Sequence, residues 1–87
     1  MDTRFSSAIH ALILISEAES PINSTAIAAS VGTNASYIRK LTAPLSKAGF
    51  IESSRAAGGF TLTKPAREIS LRDVYCAVTD TDQIQLF

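Results

Sequence analysis

At 87 residues, 46% of them hydrophobic and 18% charged, the chain makes one small domain with more apolar surface than its own core needs, so part of that surface is expected to pack on a partner. The single cysteine and single histidine exclude an internal disulfide and a metal site of the usual ligand count, and no run nears the ~20 apolar residues of a membrane span. The net charge is +0, yet the basic groups Arg39, Lys40, Lys47, Arg55, Lys64 and Arg67 face Glu52 alone between residues 33 and 67, a block on which a polyanion would dock.

Residues 2 to 18 read as a helix, because Phe5, Ile9, Leu12, Ile13 and Ser16 recur at three- and four-residue steps. The run from Ala8 to Ile15 is apolar around most of its circumference, so this helix should be buried on two sides. His10 within the run is expected to be a core or interface histidine. Asp2 ahead of Arg4 argues against a secretory signal, which leaves the cytoplasm as the expected compartment.

Pro21 ends the reach of the first helix, and Asn23 caps a second that runs from Ser24 to Val31, with Ile22 and Ile27 placed as a hydrophobic staple. Gly32 closes it, and Asn34 caps a third helix after one further residue. Two helices joined so tightly form a helix-turn-helix candidate. Projection of the third helix, Ala35 to Ala48, gathers Ile38, Leu41, Leu45 and Ala48 into one core sector. Opposite lie Ser36, Arg39, Lys40, Ala43 and Lys47, a face without an acid that suits phosphates and base edges. Tyr37 falls at the edge of the core sector, where packing and nucleic-acid contact are both open to it. Pro44 removes the amide that would bond the Lys40 carbonyl, and a kink is expected near Thr42 to Pro44.

After Gly49 the segments Phe50 to Arg55 and Phe60 to Lys64 read as strands around a turn at Ala56 to Gly59, a hairpin whose residues Phe50, Ile51, Phe60 and Leu62 should cap the core. Its tip, with Arg55 at the base and Gly58 and Gly59 beyond, can bring backbone amides to a phosphate. Ser70 opens a last helix with Asp73 as its capping-box partner. Leu71, Val74, Tyr75 and Val78 form the apolar stripe of that helix, and Cys76 among apolar neighbours reads as a buried, inert thiol. The polar stretch Thr81 to Gln85 has no strong periodicity. The fold class is therefore mainly α with a small antiparallel β hairpin, a winged helix-turn-helix.

The wording resembles one family of that fold. It is carried by Arg4-Phe5, by Ala28 to Val31 before Gly32-Thr33-Asn34, and by Tyr37-Ile38-Arg39-Lys40-Leu41. It continues through Leu45-Ser46-Lys47-Ala48-Gly49-Phe50-Ile51, Gly58-Gly59-Phe60-Thr61-Leu62 and Glu68-Ile69-Ser70-Leu71-Arg72-Asp73-Val74. The chain resembles the Rrf2 family of bacterial regulators, which includes the iron-sulfur-cluster regulator and nitric-oxide-sensing repressors. The resemblance implies a dimeric repressor or activator that binds double-stranded DNA through its third helix in the major groove and its hairpin on the neighbouring minor groove or backbone. By that resemblance Asn34, Ser36, Tyr37, Arg39 and Lys40 lie at the DNA, and Arg55 with Gly58 and Gly59 forms the wing contact; the acid-free face of the third helix adds Lys47. Cluster-binding members carry cysteines after the capped helix and join protomers through a long C-terminal helix. Neither is found here, and the abrupt end at Gln85-Leu86-Phe87 leads us to expect a truncated chain, with any iron-sulfur cluster held by residues beyond it. No catalytic set is recognisable, so an enzyme is not expected; the other reading is a winged-helix module that binds protein instead of DNA.

Overall fold

The structure, a computed structural model, describes residues 3–85, and the side chains of residues 4–79. Helix α1 spans Thr3–Glu17, α2 Ser24–Val31 and α3 Ala35–Lys47; strands β1 Ile51–Ser54 and β2 Gly59–Leu62 follow, then a 3₁₀ turn Ala66–Glu68 and helix α4 Leu71–Gln85. The caps act as read from the sequence. Asn23 and Asn34 accept from the amides of Ala26 and Tyr37 at 2.8 and 2.9 Å, each satisfying a donor that the first helical turn leaves free. At α4 the Ser70 hydroxyl accepts from the Asp73 amide at 3.0 Å while Asp73 Oδ2 accepts from the Ser70 amide at 3.4 Å.

One core joins these elements. Ala8, Ala11, Leu12 and Ile15 of α1 meet Ile27 and Ala28 of α2, Ile38, Leu41 and Leu45 of α3, Phe50, Ile51, and Val74 and Val78 of α4, all buried. Helix α1 is the common neighbour, packing on α2, α3, α4 and β2. It leaves a third side open, where His10 and Ile13 are exposed. His10 is therefore not a core histidine, because it projects from the opposite side to Ala8, Ala11 and Ile15.

One core assignment shifts at the end of α3: Ala48 is exposed, while Phe50 is buried as expected. The reason is the helix terminus: Gly49 adopts φ 87°, its amide bonds the Ser46 carbonyl at 3.0 Å, and the Phe50 amide bonds the Leu45 carbonyl at 3.1 Å. This Schellman arrangement turns the chain back over α3 and drops the Phe50 ring onto the core. Helix α3 itself stays continuous across Pro44, with the Thr42 hydroxyl bonding the Arg39 carbonyl at 3.3 Å one turn earlier.

The strands are antiparallel, with Ile51 opposite Leu62 and Ser54 opposite Gly59. Both are shorter than expected, and the turn runs from Arg55 to Gly58. A third partner extends the sheet: Ile22, between α1 and α2, exchanges amide and carbonyl bonds with Phe60 at 3.3 and 2.9 Å. Gly59 belongs to that contact. Its φ is not positive, unlike the 86° of Gly58, and a Cβ placed on it would lie 2.5 Å from the Ile22 carbonyl carbon and oxygen. The hairpin packs on α1 and α3, completing a winged helix-turn-helix.

On α4 only Val74 and Val78 of the expected stripe are buried; Leu71 and Tyr75 are 64% and 50% exposed. Tyr75 lies at the stripe's edge, its ring meeting that of Phe5 edge-on with centroids 5.5 Å apart. Leu71, in the first turn, borders an apolar groove of about 200 Å³ between α1 and α4, lined with Ile9, Ile13, Leu62 and Ile69 among others. Cys76 is exposed, contrary to expectation, because it faces away from the side carrying Val74 and Val78. The stretch 81–85, expected to be irregular, continues α4.

The two glycines of the turn should separate in a urea titration. Gly59→Ala is expected to cost ~2 to 3 kcal/mol as an overpacking change against backbone, and Gly58→Ala ~1 kcal/mol as a left-handed residue gaining a Cβ. Equal losses would show that Ile22 does not press on Gly59.

Candidate nucleic-acid interface

The position of the basic face follows from the burial of its opposite. Ile38, Leu41 and Leu45 are 0%, 2% and 0% exposed, so α3 cannot rotate about its axis without moving this sector into water at ~1.5 to 3 kcal/mol for each side chain. Ser36, Arg39, Lys40, Ala43 and Lys47 are consequently all exposed. No acidic side chain occurs within α3, and among the described residues none is ion-paired to Arg39, Lys40 or Lys47. The face is a convex ridge of cations and small groups, open to solvent.

The remaining predicted positions divide by what occupies them. Asn34 is exposed but its Oδ1 is committed to the Tyr37 amide. Tyr37 is half-buried and packs against the core, which leaves its edge for other contacts. Arg55 and Gly58 are exposed in the hairpin turn. Gly59 is half-buried, and its lack of a side chain serves Ile22 first.

The wing brings together residues that sequence reading did not connect. Arg55, Gly58 and Gly59 line a cleft of about 230 Å³ with Asn23, Ser24, Ser53, Ser54 and Phe60. Ser54 also fixes the turn, its Oγ accepting from the Ala57 amide at 3.1 Å. Nothing local in the sequence announces that Asn23 and Ser24 lie beside Arg55, since the Ile22 to Phe60 bridge alone makes them neighbours. The basic block is also less uniform in space than along the chain. The Lys64 ammonium sits 5.5 Å from the centre of the Phe50 ring, a cation–π contact at the wing root. Thr63 closes the same root: its amide bonds the Phe50 carbonyl at 3.0 Å and its hydroxyl the Gly49 carbonyl.

Comparison with known proteins agrees with this arrangement. The family model Rrf2, described as an iron-dependent transcriptional regulator, matches residues 1–86. YwgB of Bacillus subtilis (strain 168), named as an HTH-type transcriptional regulator, is 40% identical over 81 residues, covering 90% of this chain and 52% of YwgB. YwnA of the same organism, named likewise, is 37% identical over 84 residues, covering 97% of this chain and 62% of YwnA. The chain thus spans between half and two-thirds of the length of these curated relatives. A crystal structure described as that of a DNA-binding protein superposes with a TM-score of 0.81 at 37% identity, covering 95% of this chain and 76% of the other.

If Asn34 acts as a cap, Asn34→Asp should leave thermal stability near that of the parent chain, whereas Asn34→Ala should lose ~1 kcal/mol. An unchanged melting temperature for the alanine variant would assign Asn34 no structural role.

Proposed function

The chain belongs to the Rrf2 family of transcriptional regulators, and from that premise we propose that it binds double-stranded DNA, with α3 in the major groove and the hairpin as a wing on the adjacent minor groove or backbone. The observation that carries this reading is the acid-free face of Ser36, Arg39, Lys40, Ala43 and Lys47, exposed directly opposite the buried sector. An α-helix fits the major groove of B-DNA, and its cations neutralise phosphates while its shorter side chains meet base edges. Arg55 and Gly58 are the wing's contacts; Gly59 serves by letting Ile22 hold the wing down. Asn34 and Tyr37 lie at the entry of α3, where Tyr37 offers only its exposed edge.

The protein acts, in this reading, as a homodimeric repressor on paired half-sites, the usual arrangement when one helix reads only a few base pairs. The exposed Ile13 and Leu71 at the α1/α4 groove provide apolar surface for association. The family description names iron. Among the described residues no three His, Cys, Asp or Glu side chains come together, and Cys76 is the sole cysteine of the chain, so these residues do not fit an iron centre.

Duplex binding driven by four exposed cations, Arg39, Lys40, Lys47 and Arg55, should fall with salt at a log–log slope of about −0.9 for each phosphate gripped. Fluorescence anisotropy with genomic fragments is expected to give a slope of roughly −3 to −4 per bound protomer. Lys40→Ala should reduce the slope by about one and weaken random and preferred duplexes alike. Binding that ignores salt, or none at low salt, would transfer the reading to a protein-binding winged helix.

A further inference from the structure

The exposed face of α3 has a defined order. Projected at about 100° per residue, Ala43 and Lys47 fall about 20° to either side of Ser36, while Arg39 lies about 60° away on one flank and Lys40 about 40° on the other. Leu45, 0% exposed, falls about 180° from Ser36, so Ser36, Ala43 and, one turn further on, Lys47 occupy the crest that stands farthest from the core. Ser36 and Ala43 have short side chains, whereas Lys47 at the C-terminal end of the crest and Arg39 and Lys40 on its flanks are long. A helix with this profile can approach a groove floor closely at Ala43 while Arg39 and Lys40 span outward toward the two phosphate walls.

Resting on the DNA-binding reading, we propose that Ala43 is a specificity-determining residue whose methyl group packs on the 5-methyl group of a thymine in each half-site. Chemistry separates this from other base contacts. Ala43 has no donor or acceptor, so the base feature in the major groove that it can select is apolar, and the thymine methyl is the one such group that the four base pairs present. The Ser36 hydroxyl, one helical turn pair earlier on the same crest, accepts or donates to any base and adds little discrimination. A larger residue at position 43 would hold the helix off the floor.

The test uses the whole chain and duplexes that it selects itself from a randomised double-stranded library. Each thymine of the selected duplex is replaced in turn by deoxyuridine, which pairs identically but lacks the methyl. For the parent chain one replacement per half-site is expected to weaken binding about fourfold, the scale of one buried methyl. Ala43→Gly should bind the thymine duplex about fourfold more weakly and be indifferent to that same replacement; Ala43→Ser, kinder to the helix, should lose the sensitivity in part. A parent chain indifferent to every replacement overturns the assignment of Ala43 while leaving DNA binding intact, as does a glycine variant that keeps full sensitivity. Failure to select any duplex overturns the DNA-binding reading and this inference with it.

Discussion

The seating of the α3 apolar sector against α1 is the constraint from which the rest of the molecule follows. Ala8 and Ala11 are wholly buried, and side chains of that size allow neighbouring helices to approach α1 closely. Ile38, Leu41 and Leu45 are buried in the same core, and their burial fixes the azimuth of α3. Once that angle is set, the cationic side of the helix has no freedom to turn inward. The electrostatic face is thus a consequence of packing, and it needs no ion pair of its own to stay in place.

The wing depends on the same post by a different route. A two-stranded hairpin has marginal stability alone, and this one is held at three points. Ile51 and Phe50 bury their side chains in the core, Thr63 ties the root to the exit of α3, and Ile22 adds a single antiparallel bridge to Phe60. The last tie runs back to the linker between α1 and α2. Wing and helix-turn-helix therefore share one rigid frame, and a ligand that spans both meets a surface whose parts are already arranged.

Charge segregation along the chain acquires a different meaning in space. Of the six cations in the basic block, four stand exposed on α3 and the hairpin turn, Lys64 lies over the Phe50 ring, and Arg67 sits in the 3₁₀ turn that follows β2. A linear count of charge treats these as equivalent. Contact with an aromatic face distinguishes Lys64, which is exposed at the wing root, from the cations along α3.

The sequence by itself determined those features whose causes lie within a few residues. Asn23, Asn34, Ser70 and Asp73 cap their helices through bonds three residues long, and the periodicity of α3 separates Ile38, Leu41 and Leu45 from Arg39, Lys40 and Lys47. The order of helices and hairpin, and most of the proposed DNA face, were legible for that reason. Tertiary structure alone decided the rest. Gly59 is required by Ile22, which no local pattern pairs with it; Ala48 is left in solvent once the chain reverses at Gly49. Cys76 and His10 have apolar neighbours in sequence and Leu71 belongs to the α4 stripe, yet all three face solvent, because burial depends on which elements arrive at a given side of a helix. Periodicity fixes which residues share a side, but only the packed neighbours determine which side is covered.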